Sequence, residues 1–350
     1  MIGLCVGALG VIPTETTAHV RYVTEEEGEE IPLVEFLLEV LTVPTNLGIL
    51  SVAGLCSVVA VWAYLRFRPG ALEIAVIRAT LREYTDLVPW LLRLAIGLPL
   101  VGAGFAGYFF TPEVPVAFRL FKVTIGFMLL FGLATRIAAG IGLLSYLVGF
   151  IITSELALAS EYLGGFLAII VLGSGRPSAD QVLGQLAEVQ QSQFRRFSDF
   201  PRPMQWIEAK TSRYGFYAPV FVRFGLGINF IFLGLHEKIL NAGRAKMVVD
   251  QYDLTEVVPV DAGMWVLGAG LTEIVLGVAL LVGFFVRASA CVAFSMFTLT
   301  LFALPDDPVL AHISLFGMVS VLLITGSGPL AIDQRIASRY PEIETSVSGD

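Results

Sequence analysis

The residues with the most chemistry to offer are Arg223, His236, Lys238, Glu273, His312 and Lys122. Each lies within or at the edge of a long apolar stretch. An ionisable group placed there is costly to bury, so each is a functional candidate. His236, Glu237 and Lys238 are consecutive, and Arg223 lies thirteen positions before His236. On one helix that spacing is roughly 20 Å at 1.5 Å per residue. Arg223 is therefore expected at the inner end of a span, with His236 and Lys238 at the outer end. Glu273 falls near the middle of another span, and His312 near the outer start of a third. Histidine and lysine donate hydrogen bonds, and a carboxyl in an apolar setting holds its proton more tightly than in water. The set suits an oxygen-bearing ligand and the handling of protons, with Glu273 and His236 as catalytic candidates and Lys238, His312 and Arg223 as binding candidates. Plainer roles compete. Arg93, Arg136, Arg223 and Arg287 suit anchors that snorkel to the inner interface, and His236 and Lys238 suit the outer interface. Glu273 suits a buried ion pair, for which Lys122 is the expected partner at equal depth.

The elements that position these groups follow from composition. Of 350 residues, 56% are hydrophobic and 15% charged. Soluble domains carry about a quarter charged residues. The net charge of −8 argues against a nucleic-acid partner, and three cysteines are too few for a disulfide scaffold. An all-α integral membrane protein remains. Nine spans are expected, at 47–65, 88–110, 117–135, 137–154, 156–173, 216–235, 262–286, 288–304 and 309–325. Fourteen of the 22 Lys and Arg residues fall in alternate loops on one side. The positive-inside rule makes that side cytoplasmic, with the amino terminus outside and the carboxyl terminus inside the cell membrane. Residues 1–18 read as a candidate signal peptide, although the positively charged leader is missing. Residues 19–46 form an acidic extracytoplasmic arm, in which residues 33–41 suit a short interfacial helix.

The chain also repeats. Arg93 and Gly97 match Arg223 and Gly227 at an offset of 130. The run 126–132 with Arg136 matches 277–283 with Arg287 at an offset of 151. Gly173, Gly175 and Asp180 match Gly326, Gly328 and Asp333 at an offset of 153. The expected plan is an extra helix at 47–65, a degenerate four-helix repeat at 88–181, a cytoplasmic linker at 182–215, a second four-helix repeat at 216–335 and a tail at 336–350. An even number of spans per unit gives both units the same orientation. At the position of Glu273 the first unit has Lys122, and at those of His236 and Lys238 it has Ala106 and Tyr108.

The second unit resembles the DoxX family. The likeness rests on Arg223, Gly227 and Gly234, the ending His236-Glu237-Lys238-Ile239-Leu240, Glu273 followed by Gly277, Gly283 and Arg287, and the closing stretch from Gly326 to Asp333. Within that wider group it is similar to the DoxD-like membrane subunit of thiosulfate:quinone oxidoreductase. The resemblance implies a quinone-linked redox subunit with a second redox subunit as partner and quinone as electron acceptor. His236, Lys238 and His312 would then donate to the quinone headgroup. The alternative is a non-catalytic assembly, cargo or scaffold subunit, and a small-molecule carrier is a third reading. No Cys-x-x-Cys, metal cluster or nucleotide motif is present, so those chemistries are not expected.

Overall fold

In a bilayer a backbone amide finds no water, so apolar runs close their hydrogen bonds within helices. The computed structural model describes residues 30–116, 118–188, 207–305 and 307–338. The candidate signal peptide, the first part of the acidic arm (19–29), the middle of the linker and the end of the tail lie outside the described residues. The order is α1 (Leu33–Leu41), α2 (Pro44–Phe67), α3 (Ala71–Glu83), α4 (Val88–Ala106), α5 (Arg119–Phe131), α6 (Thr135–Ile152), α7 (Glu161–Leu172) and α8 (Ala179–Glu188). It continues with α9 (Ala218–Phe232), α10 (Ala242–Gln251), α11 (Ala262–Val282), α12 (Val286–Ala303), α13 (Val309–Thr325) and α14 (Ile332–Ser338).

Six helices are long and apolar enough to cross a membrane: Pro44–Phe67, Ala71–Ala106, Thr135–Ile152, Ile207–Leu240, Ala262–Val282 and Val286–Ala303. Two more apolar helices, α7 and α13, are shorter. This differs from the nine expected spans, and the reasons are local. The expected span 117–135 is a helix of 13 residues, because the chain before it is spent on a hairpin. There Tyr108–Phe109 pairs antiparallel with Thr111–Pro115, the one strand pairing among the described residues. Pro112 and Pro115 lack amide donors and disfavour a helix at that point. A 3₁₀ segment over Ser154–Ala159 likewise shortens α7.

The repeated residues make repeated contacts. Arg93 donates to the Pro177 carbonyl at 2.6 Å, and Arg223 to that of Pro329 at 3.3 Å. Asp180 accepts from the amides of Ala134 and Thr135 at 2.6 and 3.0 Å. Asp333 accepts from those of Phe285 and Val286 at 2.7 and 2.9 Å. Each carboxylate thereby covers amides at the start of a helix, where the helix dipole favours negative charge. The amide of each Asp returns to a glycine carbonyl, Gly132 at 2.9 Å and Gly283 at 3.0 Å. Arg136 Nε reaches Ile170 O at 3.0 Å, and Arg287 Nε reaches Leu323 O at 2.8 Å.

Helix packing between the halves is reciprocal. The last helix of each half lies on the first helix of the other, α7 on α9 and α13 on α4. The contact points correspond too. A Cβ on Gly164 would come within 3.0 Å of Gly225, and one on Gly317 within 2.3 Å of Ala95 Cβ. Gly164 and Gly317 share the offset of 153, and Ala95 and Gly225 that of 130. Small residues let these helices approach closely where the hydrophobic effect no longer drives association.

Outside the bundle, α1 forms as expected and buries Phe36 and Val40. They join α10 and α11 in a second apolar cluster. Glu39 pairs with Lys246 at 2.7 Å, so that lysine is already occupied by the acidic arm. By contrast α2, the extra helix, has none of its apolar window buried. Tyr64 near its end touches the Phe285 ring at 5.3 Å.

Candidate functional site

The second half differs from the first at the carboxyl-terminal end of its first helix. There α9 runs on into a π-helical stretch over Leu233–Leu240. Such widened turns change which side chains face inward and recur at functional sites. This one presents His236, Glu237 and Lys238. Lys238 Nζ donates to both carboxylate oxygens of Glu273 at 2.8 Å. Glu273 reaches this height because α9 and α11 nearly touch: a Cβ on Gly234 would meet Gly270 O at 2.5 Å and Glu273 Cβ at 3.1 Å. The carboxylate is buried and the ammonium partly so.

This overturns the expected pair between Lys122 and Glu273. Lys122 instead donates to the carbonyls of Ala103 at 3.3 Å, Val116 at 3.2 Å and Tyr108. Its three ammonium protons tie the end of α4 to the hairpin. Tyr108 occupies in the first half the position of Lys238 in the second. In both halves, then, the second helix reaches the outer end of its own first helix rather than crossing to the other half.

A second acid lies within electrostatic reach of Lys238. Asp307, in the short turn between α12 and α13, feels the charges of both His312 and Lys238. Its Oδ2 lies 3.6 Å from His312 Nε2, and its Oδ1 is buried with no hydrogen-bond partner. His312 packs edge-on against Phe297 at 6.0 Å. On the other flank His236 Nδ1 meets Glu237 Oε1 at 3.0 Å, and its ring stacks on Phe232 at 4.7 Å. The His236 side chain is 39% exposed while Glu237 is 1% exposed, so the imidazole is the reachable member of that pair.

Six groups, Lys238, Glu273, Asp307, Glu237 and the two histidines, thus gather at one end of the second half. Arg223 does not join them. It is buried at the opposite end of α9, bound to Pro329 O and near Asp333. Its expected place in a binding site with His236 is therefore corrected to a structural one. Neither Glu237 nor Asp307 stands out as a site residue in the sequence. Glu237 looks like part of a solvated end, and Asp307 like one of two acids in a turn. The useful signal was the turn's shortness, which holds Asp307 beside the first turn of α13.

Residues 218–306 match the DoxX family model. That DoxX-matching segment covers α9 to α12 and includes His236, Lys238 and Glu273, with Asp307 and His312 just beyond its end. No curated protein and no solved structure matches the chain.

Burial pushes the Asp307 carboxyl above its ordinary range, opposed by the charges of His312 and Lys238. The folded state then binds this proton more tightly than the unfolded chain does. The stabilisation is complete at pH values below the ordinary Asp range and is lost as pH rises through the raised value. Asp307→Asn removes that loss. The variant should gain stability relative to the parent as pH rises above about 4, measured by thermal aggregation across a pH series. A difference that does not vary with pH contradicts this.

Proposed function

We propose that this is a DoxX-like membrane subunit that binds a quinone headgroup at the outer end of its second half and passes electrons and protons to it. The observation that carries the reading is the Lys238 ammonium paired with the buried Glu273 carboxylate, within electrostatic reach of Asp307 and next in sequence but one to a partly exposed His236. Reduction of a quinone to its quinol takes up two electrons and two protons. Lys238 and His236 supply donors for the carbonyl oxygens, and Glu273 and His312 can exchange protons with them. The electrons come from a second redox subunit or a sulfur compound outside the membrane, as in the DoxD-like proteins that the second unit resembles. Supporting this placement, His236, Lys238 and Glu273 lie within a match to the DoxX family, in the half where ionisable groups are concentrated.

The proposed architecture is two tandem four-helix units, 88–181 and 216–335, sharing one orientation, plus the extra helix α2. The recurrent Arg, Gly and Asp contacts and the reciprocal packing of α4, α7, α9 and α13 support it. The short helices α5, α7 and α13 complete the nine-span plan when joined to their flanking turns. Cell-membrane location with the amino terminus outside rests on the distribution of Lys and Arg.

The combined substitution His236→Ala with Lys238→Ala should abolish quinone reduction in purified membranes. Undiminished reduction would remove the site assignment. It would favour the second reading, a non-catalytic assembly or scaffold subunit, to which the unpacked apolar length of α2 also lends itself.

A further inference from the structure

A second buried polar group lies away from the outer site, where α7, α9 and α13 meet. Glu161, the first residue of α7, is 4% exposed. Its Oε1 accepts from Ser314 Oγ at 3.1 Å, and its Oε2 from Asn229 Nδ2 at 3.0 Å. Asn229 also donates to Leu158 O at 2.6 Å. Ser314 and Asn229 are each 1% exposed. Asn229 Oδ1 is buried with no partner, so the cluster is not a closed set of hydrogen bonds.

The position is special. Glu161 and Ser314 share the offset of 153 that relates Gly173 to Gly326 and Asp180 to Asp333. Two equivalent positions can touch only where they lie on the axis relating the halves. The reciprocal contacts Gly164–Gly225 and Gly317–Ala95, one turn further along α7 and α13, agree with that placement.

The charges do not balance. The groups contacting the Glu161 carboxyl are a serine, an asparagine and backbone, and the titratable side chains packed near it are Tyr146 and Tyr162. Tyr146 already donates to Leu156 O at 2.7 Å. Among the described residues no cation contacts Glu161. An uncompensated carboxylate in such surroundings is strongly disfavoured. A neutral acid has no such cost and satisfies the local geometry. Its hydroxyl donates from Oε1 to Ser314 Oγ, whose own proton turns to Ala311 O at 3.4 Å, while Oε2 still accepts from Asn229.

We infer that Glu161 is a proton-binding site on the axis between the two halves, occupied at neutral pH and separate from the outer cluster. The bound proton neutralises the seam of α7, α9 and α13. Its release leaves a charge that only Ser314 and Asn229 can solvate, so proton occupancy is coupled to the packing of the two halves. This does not depend on the quinone reading, and its failure would leave the outer site untouched.

Infrared spectroscopy of the full chain in lipid nanodiscs tests it. At pH 7 the protonated-carboxyl stretch should contain a component that vanishes in Glu161→Gln and persists in Glu273→Gln. Ser314→Ala should shift that same component without removing it, which also serves if Glu161→Gln does not fold. Sodium chloride should leave it unchanged relative to choline chloride. The inference is overturned if Glu161→Gln keeps the full band, if Ser314→Ala leaves its frequency unmoved, or if sodium replaces the component by a carboxylate band. The last result would mean a sodium ion occupies the site.

Discussion

Glu273→Ala should destabilise the protein by about 3–5 kcal/mol, the usual cost of leaving one member of a buried ion pair alone. The variant strands Lys238, whose ammonium donates both its short side-chain bonds to that carboxylate. The size of the loss reflects the unpaired charge, not the net worth of the pair. Two further variants separate those quantities. Lys238→Met with Glu273→Leu removes both charges and keeps the volume, and should recover most of the lost stability. Glu273→Lys with Lys122→Glu swaps the two charges and should recover none, because Lys122 is bound to three carbonyls elsewhere. Denaturation in mild detergent, followed by loss of the monodisperse species, measures all three. Recovery by the Lys122 substitution would restore the cross-half pair that the geometry excludes.

The second large effect lies at the opposite end. Gly283 ends α11 with a φ of +71°, a left-handed conformation that favours glycine. A Cβ there would lie 1.7 Å from Arg223 Nη1 and 2.6 Å from Ala331 Cβ. Gly132 stands in the same relation to Arg93, with a φ of +66° and the same 1.7 Å approach. Gly283→Val combines backbone strain of about 1–3 kcal/mol with overpacking of about 1–3 kcal/mol. It also displaces the arginine that holds the Pro329 carbonyl. Expression in the membrane should fall severely, and the equivalent Gly132→Val should behave alike. Near-normal yield of both would mean that the arginine cradles do not organise these turns.

Much of the fold is legible because the repeat is written in residues with fixed backbone jobs. Glycine at a left-handed helix end, aspartate over the first amides of a helix and arginine on a carbonyl recur at constant offsets. The helix at 33–41 is legible for a different reason, Glu35 and Glu39 four apart in an apolar run, although its packing through Phe36 and Val40 is not. Span counting was less secure. Hydropathy registers apolar length but not where a turn interrupts it, and the hairpin after α4 and the 3₁₀ segment before α7 both shorten helices.

The site divides in a similar way. Intramembrane charge singled out Lys238, Glu273, His236 and His312 as site candidates, and the structure joins Lys238 to Glu273. Depth along a helix did not tell which way a side chain points, so Glu273 was matched to a lysine of the other half. Arg223 was grouped with residues at the far end of its own helix, where only its sequence neighbourhood suggested company. Glu161 left little trace: an acid at the start of an apolar run resembles an ordinary helix amino terminus. Its meaning depends on Ser314, 153 positions away.

The central claim is that the polar cluster around Lys238 binds the quinone. The most direct measurement is equilibrium binding of a short-chain quinone to purified protein, comparing the parent with Lys238→Met/Glu273→Leu at matched thermal stability. The account predicts at least about a tenfold loss of affinity, the effect of removing about 1.4 kcal/mol of hydrogen bonding. Equal affinity in a folded double variant would contradict it.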